Sequence, residues 1–111
     1  MTIRLTNVEE ITQLNLKYRK KNKATNIISF PFNTFDFINN KLLGDIVMCP
    51  FIISQEAKKY KKNIVEHWAH ITIHGYLHLL GFKHNSFNNR KIMEKLEIKI
   101  MKKLGYNNPY F

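Results

Sequence analysis

The stretch HGYLHLLGFKH, from His74 to His84, places three of the chain's five histidines in an otherwise apolar run. On a helix, His74 and His78 lie one turn apart on the same face. Two imidazoles so arranged reach one metal ion. A catalytic zinc needs a third protein ligand. His70 continues the helical series backwards, but it sits eight residues from His78, roughly 12 Å at 1.5 Å per residue. Metal–nitrogen bonds of about 2.0–2.1 Å cannot converge over that distance. His84 meets the need if the helix stops at Gly81 and the chain reverses over the metal. The run therefore demands a long helix, a glycine stop and a tight return, and it leaves a fourth coordination position open. A lone histidine on an apolar face is more often a satisfied core residue, and His67 and His70 are read that way.

The spacing matches the zinc-peptidase pattern H-E-x-x-H-x-x-G-x-x-H, except that Gly75 stands where those enzymes carry a glutamate base. A metal lowers the pKa of water without that base. Peptide cleavage, however, needs a group to protonate the leaving amine, so a different hydrolysis is favoured. Cys49 is the single cysteine, which excludes an internal disulfide and makes a reducing cytoplasm the expected location. No apolar run approaches the roughly 20 residues that cross a bilayer. The start MTIRLTNVEE lacks the pattern of a signal peptide, so no membrane association is expected. A formal net charge of +10 over 111 residues permits an anionic partner such as nucleic acid. Lysine, asparagine, isoleucine and phenylalanine all have A/T-rich codons, so genomic base bias alone also produces this excess.

Pattern and punctuation give an element order. TIRLT (2–6) reads as a strand. Asn7 is an N-cap with Glu10 three residues on, opening a helix whose Val8, Ile11, Leu14 and Tyr18 form its apolar stripe. ATNIISFPF (24–32) reads as a strand that Pro31 confines to an end or edge, NTFDFINNK as a loop, and LLGDIVMCP (42–50) as a second buried strand. FIISQEAKKYKKN (51–63) is a short helix and residues 64–80 a longer one. FKHNSFNN is a loop, and residues 90–105 form a last helix with Ile92, Leu96, Ile100 and Leu104 on its stripe and Gly105 as C-cap. The order suits an α+β fold: one domain with a small mixed sheet packed with helices.

The HGYLHLLGFKH run resembles the H-G-x-L-H-L-x-G-x-D-H motif of the YbeY family, bacterial rRNA maturation factors regarded as zinc-dependent, single-strand-specific endoribonucleases. LNLKYRKKNKATNIISFPF (14–32) is similar to that family's L-N-x-x-Y-R and T-[DN]-V-L-S-F-P-F block, LLGDIVMCP to its L-G-D-I segment, and EHWAHITIHG and LEIKIMKKLGYNNPY also read like family sequence. The resemblance implies that His74, His78 and His84 bind one Zn2+ ion per chain. It implies that Arg19, matching the arginine of Y-R, lines the cleft and holds an RNA phosphate, for which a guanidinium is chemically suited. Without that match, Arg19 reads as a solvated charge at a helix end. Ser29 touches substrate or is structural; Asp45 orients a ligand histidine or serves a turn. Lys83 stands where the motif has aspartate. The match starts at the family's second strand, so residues 1–111 are expected to form a single domain without the leading strand and helix.

The expected activity is metal-dependent cleavage of single-stranded RNA, in maturation of the 16S rRNA 3′ end. The expected partners are rRNA, the small ribosomal subunit and its assembly factors. Two other readings share the same residues: a catalytically weakened RNA-binding module for ribosome assembly, and a zinc peptidase-like hydrolase.

Overall fold

The computed structural model describes residues 1–31 and 44–110. Its elements are β1 (Thr2–Leu5), α1 (Val8–Arg19), β2 (Ile27–Pro31), β3 (Gly44–Met48), α2 (Pro50–Lys59), α3 (Ile64–Leu79) and α4 (Phe87–Lys103). The loop expected over 33–41 lies outside the described residues, as do Phe32, Leu42 and Leu43 at the ends of the expected strands.

Helix starts follow local chemistry. The Asn7 side chain accepts from the Glu10 backbone N–H at α1, and Asn63 accepts from Val65 and Glu66 at α3. Each cap satisfies donors that the helix itself leaves unpaired. Helix α2 has no side-chain cap and begins instead on Pro50, whose missing N–H costs nothing there. Helix α4 begins at Phe87, earlier than position 90, because Ser86 caps it by accepting from the Asn89 N–H. The expected loop after Gly81 is correspondingly shorter.

Strand order is β1-β3-β2, with β1 parallel and β2 antiparallel to β3. Period-two alternation sends side chains to two faces. On one face Ile27, Ile46 and Met48 meet Ile53 of α2 and Ile71 and Leu79 of α3. On the other, Ile28 meets Ile11 of α1 and Cys49. Burying each large side chain contributes about 1.5–3 kcal/mol, so these two clusters hold α1 and α3 on opposite sides of the sheet. Helix α4 packs on α3.

The buried face of α4 differs from the expected stripe. Ile92 is 52% and Leu104 57% exposed, whereas Met93, Glu97 and Met101 face inward. The helix is rotated so that a carboxylate, rather than the isoleucine stripe, meets α3.

Helix α3 crosses β2 closely at Gly75. A Cβ there would lie 2.4 Å from Ile27 Cδ1 and 3.3 Å from Ser29 Oγ. The Ser29 hydroxyl donates to the Gly75 carbonyl at 3.0 Å. This contact fixes the depth and rotation of α3, and with them the direction of His74 and His78 on either side of Gly75.

Candidate metal centre

Helix α3 presents His74 and His78 into a cleft of about 650 Å³ that Arg19, Ser29, Lys83, His84 and Tyr110 also line. The return that delivers His84 depends on Gly81, whose φ of 101° lies where a side chain would be strained. There the Gly81 N–H donates to the His78 carbonyl and the Phe82 N–H to the Leu77 carbonyl. One ligand nitrogen from each of His74, His78 and His84 lies within 4.8 Å of the others.

Hydrogen bonds fix which nitrogen of His74 and of His78 is free. His74 Nδ1 lies 2.9 Å from Glu97 Oε1, and His78 Nδ1 lies 3.1 Å from the Phe82 carbonyl. Both neighbours only accept, so both Nδ1 atoms carry protons. In neutral rings the lone pairs then sit on Nε2. Yet His78 Nε2 is 3.1 Å from His74 Nε2 and 3.0 Å from His84 Nδ1. Two lone pairs facing each other at this distance repel unless a cation lies between them. Three ligands on a tetrahedral zinc, with bonds of about 2.0–2.1 Å, have nitrogens roughly 3.3 Å apart, close to the spacing found. The donor set fits a divalent metal ion.

Electrostatics favour the neutral, ligating form of His78 and His84. Burial, then the adjacent His74 and His84 rings, hold His78 down to about 4. Burial lowers His84 as well, with His74, Arg19 and Arg90 acting in the same direction.

The carboxylate behind the site is Glu97, which is 0% exposed. Burial alone would raise its pKa, but hydrogen bonds from His70, His74 and Tyr110 prevail and hold it at about 2. It accepts from His70 Nε2 at 2.6 Å, from His74 Nδ1 and from the Tyr110 hydroxyl. A negative charge thus sits one imidazole away from the metal position. It orients the His74 ring and fixes its tautomer.

Of the residues singled out in the sequence, His74, His78, His84, Arg19 and Ser29 come together in the cleft. Arg19 is exposed at the end of α1, and Ser29 spends its proton on the α3 backbone. Asp45 does not join them. It follows Gly44 on β3 and faces the α1 side of the sheet, lining a separate cavity with Arg4 and Tyr18. Strand alternation puts it on the wrong face, and Glu97 takes the orienting role instead. Lys83 is exposed, so its ammonium extends into solvent. His67 pairs with Glu56 at 3.0 Å and His70 with Glu97, both buried and outside the triad. Glu97 and Tyr110 were missed. The available signal was the row Met93, Glu97, Met101, in which a glutamate interrupts an apolar face.

These shifts give the metal-free protein a defined acid response. Between pH 6.5 and about 4 the unfolded chain takes up a proton that His78 in the fold refuses, so stability falls as pH falls through that window. Glu97, held at about 2 against an ordinary 4.5, adds a further loss below pH 4.5. Urea midpoints of the chelated protein should be level above about pH 6.5 and decline steadily below it. A midpoint that did not move between about pH 7.5 and 4.5 would contradict the assignment.

Comparison with known proteins places these features in a family context. The family model described as Endoribonuclease YbeY matches residues 1–105. Endoribonuclease YbeY of Buchnera aphidicola subsp. Acyrthosiphon pisum is 57% identical over 110 residues, covering 99% of this chain and 71% of the relative. That of Colwellia psychrerythraea is 52% identical over 110 residues, with 99% and 71% covered. The solution structure of a Thermotoga maritima protein matches the fold with a TM-score of 0.56 at 24% identity, over 92% of this chain and 68% of that one. Among the described residues, no helix is long and apolar enough to cross a membrane.

Proposed function

Because this chain belongs to the Endoribonuclease YbeY family, we propose that it is a zinc-dependent endoribonuclease acting on single-stranded RNA. One zinc ion is held by His74, His78 and His84. The observation that carries this reading is the set of imidazole nitrogens 3.0–3.1 Å apart, with the lone pairs of His74 and His78 turned on one another. When bound, the metal supplies Lewis acidity and lowers the pKa of water at its open position.

The chain's own residues do the rest. Arg19 pairs its guanidinium with the non-bridging oxygens of the scissile phosphate and stabilises the charge that grows on them. Glu97 and the Phe82 carbonyl hold the rings of His74 and His78 in the ligating tautomer. Ser29 fixes the wall of the cleft against α3. Gly75 supplies no base where a peptidase carries its glutamate, and a Cβ there would have to displace the Ile27 side chain. The natural substrate is rRNA, near the 3′ end of 16S rRNA, and the setting is the cytoplasm, where small-subunit assembly factors are the partners. Residues 1–111 act as a single domain. These finer points rest on the family resemblance.

The test is incubation of metal-loaded protein with an end-labelled unstructured RNA and with a perfect duplex. Internal cuts in the single strand alone are expected, and Arg19→Ala should lower kcat/KM by about a hundredfold or more, as removal of a transition-state donor does. An intact single strand after prolonged incubation with fully loaded protein would sink the reading.

A further inference from the structure

The cleft does not end at the histidines. His70, Ile71 and Tyr110 line both the metal cleft and an adjoining cavity of about 460 Å³. That cavity shares Lys62, His67 and Pro109 with a third, of about 370 Å³, which reaches Lys61 and Asn107. The three cavities adjoin one another in a row along α3. From Ile64 to His74 the helix rises roughly 15 Å, enough for several nucleotides beyond a phosphate at the metal.

The far end of the row has a distinct composition. The sequence KKYKK, residues 58–62, sets four lysines around Tyr60 where α2 ends. Tyr60 lines the middle cavity and is 58% exposed. The Lys59 ammonium lies 5.3 Å from its ring centre. Lys62 donates to the Pro109 carbonyl and so belongs to the framework, while Lys61 is exposed in a left-handed turn with φ of 53°. Two carboxylates border the row. Glu56 is turned inward onto His67 and the Asn26 amide, and Glu66 is outnumbered by the lysines. An aromatic face among cations along a groove is the arrangement that binds single-stranded nucleic acid without sequence preference.

We propose that Tyr60 and Lys61 form a subsite for the same RNA strand whose scissile phosphate lies at the histidines, Tyr60 stacking a base and Lys61 holding a phosphate. The proposal rests on the nuclease reading for its substrate, and its test separates the two. Binding of a fluorescent twelve-nucleotide unstructured RNA to the chelated protein is measured by anisotropy over a range of salt, beside cleavage by the loaded protein. Tyr60→Ser should weaken binding about tenfold, within the range for loss of one stacked base, and Tyr60→Phe should restore it. Lys61→Gln should flatten the slope of log affinity against log salt by about 0.7. A dinucleotide, too short to reach, should be cut by wild type and Tyr60→Ser alike. Wild-type binding by Tyr60→Ser, or equal losses on both substrates, would overturn the subsite. Tyr60-dependent binding without cleavage would leave the subsite standing and overturn the nuclease reading.

Discussion

His78→Ala should strip the bound metal and abolish RNA cleavage while leaving the chain folded. His78 is the central ligand, with its Nε2 facing both His74 and His84, so its loss leaves two imidazoles with no shared neighbour. If the roughly 10–16 kcal/mol of a structural zinc site is spread over its ligands, one imidazole is worth about 3 kcal/mol, or more than a hundredfold in affinity. The fold loses less. His78 is half-buried at the cleft wall, and its structural bond is the one to the Phe82 carbonyl, worth about 1 kcal/mol. Metal content after gel filtration, with circular dichroism on the same sample, reads both effects. Full stoichiometric metal in the variant would refute the three-histidine site.

Glu97→Gln should cost both metal affinity and stability, although it touches no metal. Glu97 accepts three hydrogen bonds in a fully buried position. An amide turns one of its two oxygen positions into a donor, and at least one of His70, His74 and Tyr110 then loses its acceptor. A buried donor left unmet costs about 1–3 kcal/mol, a large part of the 5–15 kcal/mol that holds a domain together. Where His74 is the partner lost, its ring is free to rotate or change tautomer, and metal affinity should fall about 10–100-fold. Tyr110→Phe is the control: it removes one donor and leaves the carboxylate on both imidazoles, so metal affinity should hold. A Gln variant that folds and binds metal as tightly as wild type would show that His74 does not depend on Glu97.

Features decided within a few residues were legible in the sequence. Asn7 caps its helix where the pattern places it, and the triad follows from i, i+4 spacing plus a glycine stop. The mixed sheet was anticipated as a class, but its order was not. The parallel pairing of Thr2–Leu5 with Asp45–Met48 joins segments some 40 residues apart, and no local pattern encodes it. That same pairing sets which face Asp45 takes, away from the histidines. Glu97 shows the limit most clearly. Its partners His70 and His74 lie 27 and 23 residues away, and hydrophobic periodicity assigns a glutamate to the solvent face. The turn of α4 that buries it is selected by hydrogen bonding to α3, which apolar counting ignores. Lys83 follows the turn and is exposed at the cleft rim, a placement that its neighbours in sequence do not reveal.

The central claim, that these three histidines hold the metal on which RNA cleavage depends, has one direct test. Chelated protein is titrated with zinc while cleavage of an unstructured RNA is followed. The account predicts no cleavage at the start, a linear rise and saturation at one equivalent per chain. Full cleavage by the chelated protein, or an RNA left intact after one equivalent is bound, would contradict it.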